Sequence, residues 1–279
     1  MFETLQLILR ISRPRFWLYL AGPFLIGFAF GTHQMSGFFS PHFWIYFFYF
    51  LVPANIFLYG VNDLADGDTD HFNEKKGTYE NRLQKKQKKI LLIAVLISTA
   101  LSFIFILTTG SLVLSAILFL LLCFSYAYSC MPFRWKAHPF IDSLSNILYL
   151  FPGLFGYYFT AHSLPPLPIF LACASWTTAM HLFSAIPDIT ADAAAQLQTT
   201  AVTLGKTKSL LLCTALWCMT AVILVSYSFW FMPLFLYCAL PLLTLLKKIS
   251  ITKIYRVFPY ITTLLGFLLF WYSVLQRFL

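Results

Sequence analysis

The chain carries a succession of apolar runs that are each long enough to cross a lipid bilayer. A helix needs about 20 mainly apolar residues to span the hydrocarbon layer. Runs of this kind predict nine spans, at 16–33, 43–61, 90–109, 111–130, 139–160, 166–186, 209–230, 231–247 and 257–276. Long continuous runs favour helices over a membrane barrel, whose strands would alternate in hydrophobicity. The sequence therefore predicts an all-α polytopic membrane protein.

Composition excludes an ordinary water-soluble fold. Only 10% of the 279 residues are charged, whereas soluble domains carry about 25%. No polar stretch is long enough to hold a second core, so we predict a single domain over residues 1–279. The first run lacks a signal-peptide cleavage site and is interpreted as a retained span. The six Cys lie in apolar runs without metal-ligand spacing and are interpreted as small hydrophobic residues.

The basic residues indicate the orientation of the chain. With nine spans, 18 of the 19 Lys and Arg fall in alternate inter-helix segments, and Arg277 is the exception. Basic segments face the cytoplasm, so we predict a protein of the cytoplasmic (inner) membrane with its N-terminus inside. The net charge of +9 then reflects topology and contact with anionic membrane lipid, and a nucleic-acid partner is not expected.

Six of the ten acidic residues form two clusters, each where a predicted span ends on the cytoplasmic side. The first cluster is NDLADGDTD. If the helix continues through it, four side chains fall within an arc of about 100°: Asn62, Asp63, Asp66 and Asp70. Asp68 points elsewhere.

The second cluster, IPDITAD, places Asp188 and Asp192 one helical turn apart. Carboxylates at such spacing repel each other unless a cation compensates them. Mg²⁺ prefers carboxylate and amide oxygens and completes its shell with water and substrate phosphates. A single Asp would be interpreted as a solvated helix end. Six acids at two span ends, in a chain with so few, instead predict a Mg²⁺-diphosphate site.

These residues carry a resemblance to a known family. NDLADGDTD fits the pattern NDxxDxxxD and IPDITAD supplies DxxxD. With nine spans, they resemble the UbiA superfamily of intramembrane prenyltransferases over essentially the whole chain. The stretches FNEKKG, SYAYSCMPFRWKAHPFIDSLSN and AMHLFSAIPDITAD are similar to the lycopene elongase branch, which adds prenyl units to carotenoids. Many relatives are expected to have a glycine near Gln196.

The resemblance implies one helical bundle around a lipid-open cavity, a prenyl diphosphate donor, a hydrophobic acceptor and Mg²⁺. The residues implied as catalytic are Asp63, Asp66, Asp188 and Asp192, which with Asn62 and Asp70 would bind Mg²⁺. Candidate partners of the diphosphate are Lys75, Arg134, Lys136 and Lys206, each of which is otherwise an ordinary cytoplasmic-side charge.

A carbocation formed from the donor would need shielding from water by aromatic faces. The candidates are Tyr59, Tyr126, Tyr128, Tyr149 and Phe183, and core packing is the alternative for each. Tyr126 is also a candidate substrate-binding residue. Three further polar residues lie at or near the membrane: Asn55, Asp142 and His181. His181 is either a base or a helix-packing histidine.

Other functions stay open at this point. The acceptor could be an aromatic quinone precursor, a chlorophyllide-like ring or a glycerol-based lipid instead of a carotenoid. A cation transporter is a function of a different class. Against it, the acids cluster at one membrane face, whereas transporter sites usually lie at mid-depth.

Overall fold

A computed structural model describes residues 2–65 and 85–278, and within these ranges the regular elements are helices, with no strand. The all-α prediction is confirmed. The α-helices are α1 (Phe2–Ile11), α2 (Leu18–Gly31), α3 (Pro41–Leu51), α4 (Pro53–Ala65), α5 (Lys85–Thr108), α6 (Leu112–Ser129), α7 (Ile141–Leu144), α8 (Phe151–Ala161), α9 (Leu167–Ala185), α10 (Ile189–Ala194), α11 (Thr200–Tyr227), α12 (Leu236–Leu245) and α13 (Ile251–Phe278).

Six helical stretches in the described ranges are long and apolar enough to cross a membrane. They are Pro41–Ala65, Gln87–Thr108, Leu112–Ser129, Leu167–Ala194, Thr200–Tyr227 and Ile251–Phe278. The other three predicted spans correspond to shorter pieces: α2 has 14 residues, the 139–160 region is broken at residues 145–150 by a 3-10 segment, and Phe229–Leu245 is partly 3-10. The count of nine is not confirmed.

The chain divides into two compact units. The first contains residues up to 134, residues 151–164 and the last turn of α13, and thus holds α1 to α6 and α8. The second contains residues 135–150 and 165–273, and thus holds α7, α9 to α12 and most of α13. The single domain predicted over residues 1–279 stays a prediction.

In the first unit, α2 and α8 approach so closely that only glycine fits between them. A Cβ added at Gly27 would overlap the carbonyl oxygen of Gly153. A Cβ at Gly156 would overlap the carbonyl of Phe24 on α2 in the same way. Small residues allow close backbone contact between membrane helices, where packing rather than the hydrophobic effect drives association. The α2–α8 contact therefore depends on these glycines.

The membrane stretch 41–65 is interrupted where α3 meets α4 at Pro53. The last carbonyls of a helix have no intrahelical donor, so the end of α3 needs donors from elsewhere. The amide of Asn55 donates to the carbonyls of Phe50 (2.9 Å) and Leu51 (3.0 Å). Asn55 is fully buried. This residue, predicted as a polar group at the membrane, therefore supports the helix junction.

The N-terminal segment forms a separate helix, α1, before the first predicted span. Its apolar face packs into a buried cluster with α4, α5 and α6, made of Leu7, Ile11, Phe57, Val61, Leu91, Val95 and Leu122. The chain then turns at Arg13, whose φ of 49° lies in the left-handed region. The first predicted span begins at residue 16, so this helix was not predicted.

In the second unit, α9, α11, α12 and α13 share an aromatic core around Trp217. The ring of Trp217 lies 5.4 Å from Phe183, 5.4 Å from Tyr237 and 5.7 Å from Phe258. All four side chains are buried. Phe183 was a candidate for shielding a carbocation, with core packing as the alternative. These contacts match core packing.

Asp142 joins α7 to the start of α11 within the second unit. Its fully buried carboxylate accepts hydrogen bonds from the backbone N–H (2.9 Å) and the hydroxyl of Thr200. The same hydroxyl accepts from the N–H of Phe140 (2.6 Å). A carboxylate at a helix N-terminus also interacts favourably with the helix dipole. Through these contacts Asp142 stabilises the packing of α7 against the start of α11.

We predict that Gly27→Ala lowers the stability of the protein, because the added Cβ meets backbone that cannot move aside. Overpacking of this kind costs about 1–3 kcal/mol. Gly22→Ala on the same helix is the matched control, since its Cβ would lie 3.9 Å from the nearest atom, Leu18 Cβ. Thermal unfolding in detergent measures both. Equal melting temperatures for the two variants would contradict the tight contact.

We also predict that Asp142→Ala destabilises more than Asp142→Asn. The alanine leaves the N–H and the hydroxyl of Thr200 without their buried acceptor, at a cost of about 1–3 kcal/mol. Asparagine keeps one acceptor oxygen at that place. The melting temperatures of the two variants should follow this order, and equal values would show that the acceptor oxygen retained by asparagine contributes no stability.

Candidate active site

The first acidic motif begins on the last turn of α4. Asp63 is only 4% exposed and forms an ion pair with Arg13, with 2.8 Å between Nη2 and Oδ1. Asn62 is half-buried, and its Oδ1 accepts a hydrogen bond of 3.0 Å from the hydroxyl of Ser129 at the end of α6. The remaining predicted residues of this region, Asp66, Asp70 and Lys75, lie outside the described residues.

From the sequence, Arg13 was expected only as one of the cytoplasmic-side charges. Its guanidinium carbon lies 4.6 Å from the ring centroid of Tyr59, one helical turn before Asp63. Arginine stacks well on aromatic faces while it binds a carboxylate. Tyr59 therefore packs against a basic side chain. The signal in the sequence was the positive-inside pattern, which puts Arg13 and the first motif at the same membrane face.

A cleft of about 480 Å³ lies beside this helix end, in the first unit. Its lining is Leu64, Ala65, Tyr126, Ser129, Cys130, Met131 and Arg134. Tyr126 is exposed and Arg134 is half-buried with a positive φ of 37°. The structure thus brings Tyr126 and Arg134, two predicted substrate-binding residues, to one cleft next to α4. Ser129, which also contacts Asn62, was not predicted.

The second acidic motif follows α9 without a gap in the helical path. Asp188 ends a 3-10 turn, Ile186–Asp188, and Asp192 lies one turn further on in α10. Both side chains are half-buried. Gln196 follows with φ 58°, a left-handed conformation that favours glycine. Many relatives are expected to have glycine near this position. In this chain Gln196, a non-glycine residue, therefore adopts a strained backbone conformation there.

The remaining basic candidates differ in exposure. Lys136 is only 9% exposed, on the 3-10 turn Trp135–Ala137. Lys206 is exposed and directly follows Gly205, where non-helical angles (φ 72°, ψ 168°) interrupt α11. His181 has its Nδ1 3.4 Å from the hydroxyl of Ser143. A buried lysine requires compensation of its charge, which makes Lys136 the more unusual of the two lysines.

The described donors fit a hard divalent cation in chemical type. Asn62, Asp188 and Asp192 offer amide and carboxylate oxygens on side chains that are half-buried and so reachable, and oxygen ligands are those Mg²⁺ prefers. Among the described residues, no three His, Cys, Asp or Glu side chains gather into a metal centre. Asp66 and Asp70 are not among those residues.

Comparison with known proteins identifies the family. The model of the UbiA prenyltransferase family matches residues 20–273. A lycopene elongase/hydratase of Haloarcula japonica is 38% identical over 261 residues, which is 93% of this chain and 88% of the relative. A protein with the same name from Corynebacterium glutamicum is 32% identical over 231 residues, 81% of this chain and 79% of the relative.

Solved structures agree with the fold. A UbiA homolog from Archaeoglobus fulgidus bound to GPP and Mg²⁺ superposes with a TM-score of 0.71 at 20% identity. The match covers 95% of this chain and 98% of that chain. At this identity the likeness concerns the fold, whereas the family follows from the sequence match over most of the chain. This chain belongs to the UbiA prenyltransferase family and is an integral membrane prenyltransferase.

Proposed function

We propose that the enzyme transfers a prenyl group from an isoprenoid diphosphate to a carotenoid, lycopene or a close relative of it. The observation that carries this acceptor is the 38% identity, over 93% of the chain, to a protein named lycopene elongase/hydratase. Five of the relatives above 30% identity share that name. The loop sequences around the two acidic motifs support the same branch.

The proposed magnesium ligands are the oxygen-bearing residues of both motifs: Asn62, Asp63, Asp66, Asp70, Asp188 and Asp192. When bound, Mg²⁺ neutralises the diphosphate and stabilises the pyrophosphate that leaves. Lys75, Arg134, Lys136 and Lys206 are the proposed partners for the remaining negative charge. Groups held in place before the reaction stabilise developing charge without reorganising, which is the usual source of such catalysis.

The reaction has a defined balance of bonds. The C–O bond of the allylic diphosphate breaks, pyrophosphate leaves with the electron pair, and an allylic cation remains. The terminal double bond of the acceptor supplies the electrons of the new C–C bond, and the second cation then loses a proton or takes up water with release of a proton. The exposed ring of Tyr126, in the cleft beside α4, is the proposed aromatic face for cationic carbon.

We also propose that the enzyme lies in the cytoplasmic membrane with both motifs on the inner side. The alternation of Lys and Arg along the chain supports this orientation. A water-soluble diphosphate would then reach the site from the cytoplasm, while the hydrophobic acceptor enters from the lipid.

We predict that Asp66→Asn and Asp188→Asn each lower turnover by about 100-fold or more, as removal of one electrostatic stabiliser does elsewhere. Membrane insertion and expression should stay normal. Asp68→Asn is the matched control, since the helical spacing of the motif predicts Asp68 outside the arc of the other acids. Turnover is measured on purified enzyme with Mg²⁺ and geranylgeranyl or dimethylallyl diphosphate. Full activity in both variants would refute the proposed magnesium ligands.

Expression in a lycopene-producing cell should convert lycopene into products one or two prenyl units heavier. Mass spectrometry of the pigments measures the change and also reports added water. In vitro, the same donors should react with lycopene and not with 4-hydroxybenzoate. Prenylation of 4-hydroxybenzoate with lycopene untouched would instead establish an aromatic quinone precursor as the acceptor.

A further inference from the structure

We propose that Arg13 is a positioning residue, which holds Asp63 and the last turn of α4 in the geometry that binding of magnesium and diphosphate requires. The inference rests on the proposed function of the first motif. Arg13 belongs to the segment between α1 and α2, outside both acidic motifs. Its role would be to act through Asp63 and not on the substrate.

The contacts around Asp63 fix its carboxylate from one side. Arg13 Nη2 lies 2.8 Å from Asp63 Oδ1, and the two side chains are 14% and 4% exposed. Water and salt screen such a pair much less than a surface pair. The guanidinium of Arg13 also stacks on Tyr59, which lies one turn before Asp63 on the same face of α4. Arg13 therefore contacts two successive turns of α4 and restricts rotation of its end.

The charge of Arg13 also matters for the end of α4 itself. Asp63 lies in the last turn of this helix, and a helix C-terminus carries partial negative charge, which disfavours a carboxylate there. The ion pair with Arg13 compensates the charge of Asp63 at this place.

The backbone at Arg13 is strained, and its neighbours hold it there. A left-handed conformation is unfavourable for a non-glycine residue, and Arg13 has φ 49°. Its N–H donates to Arg10 (3.1 Å), and its carbonyl accepts from Phe16 (2.8 Å). The indole of Trp17 donates to the Ser12 hydroxyl (2.9 Å). Maintained strain of this kind is found preferentially at functional sites.

The packing of α1 fixes the other side of this turn. Leu7 and Ile11 are buried in the cluster that includes Phe57 and Val61 of α4. The ring of Phe16, after the turn, lies 6.0 Å from Tyr59. The helix before Arg13 and the residues after it thus both pack on α4. Arg13 is held against Asp63 by two separate contacts.

The test compares Arg13→Gln and Arg13→Lys with Arg10→Gln, a control on an exposed arginine of α1. The first measurement is the Mg²⁺ concentration that gives half-maximal turnover. The second is the rise in melting temperature produced by Mg²⁺ with inorganic pyrophosphate, without any acceptor. Loss of a residue that orients a metal ligand typically weakens metal affinity 10- to 100-fold.

We expect Arg13→Gln to need 10- to 100-fold more Mg²⁺ and to lose most of the pyrophosphate-dependent thermal shift. Arg13→Lys should lie between Arg13→Gln and the wild type, because lysine keeps the charge but not the planar stack on Tyr59. Arg10→Gln should behave as the wild type. Arg13→Gln combined with Asp63→Asn should be no worse than Asp63→Asn alone, since both changes remove one interaction.

Three results would overturn the positioning role. One is an unchanged Mg²⁺ requirement with a lower melting temperature, which would indicate a structural contact only. The second is a higher KM for the donor with unchanged Mg²⁺ requirement, which would indicate direct contact with diphosphate. The third is strict additivity in the double variant. If the wild type turns over no donor, the proposed function fails, and the pyrophosphate measurement still decides the role of Arg13.

Discussion

The backbone of this chain must satisfy its hydrogen bonds without water, and the described structure follows from that constraint. Helices meet it within each segment, but the last carbonyls of a helix have no intrahelical donor, so a helix that ends inside a membrane stretch needs one from elsewhere. At the end of α3 the amide of Asn55 supplies it by donating to the carbonyls of Phe50 and Leu51. The helical path continues after the break at Val52 as α4, and the last turn of α4 carries Asn62 and Asp63.

A second constraint is that a buried carboxylate needs a partner for its charge. Asp63 is paired with Arg13, and Asp142 accepts two hydrogen bonds at the start of α11. Both acids are buried, yet one belongs to the first motif and the other supports the fold. The half-buried Asp188 and Asp192 fit the pattern of metal ligands better than Asp142 does. Membership of a prenyltransferase family favours this chemistry over ion transport, which the acids alone left open.

The sequence was sufficient for the fold class, the family and the two motifs, because apolar length and acid spacing are local properties. Helix breaks were harder to predict, since the 139–160 run is apolar enough on average to be taken as one span although it contains Asp142 and Asn146, and only its backbone shows the 3-10 segment at residues 145–150. The role of Arg13 could not be predicted either. It depends on a left-handed turn and on the packing of α1, which bring residues 50 positions apart into contact. Ser129 was missed for the same reason.

The glycine contact between α2 and α8 has a consequence for how the protein is made. The partner surfaces lie at residues 18–31 and 151–161, so α2 is synthesised well before the helix that it fits. At usual rates of translation this delay is on the order of ten seconds. During that time a 14-residue helix must stay in or near the bilayer without its glycine partner. The contact between α2 and α8 therefore forms only after α3 to α6 have been synthesised.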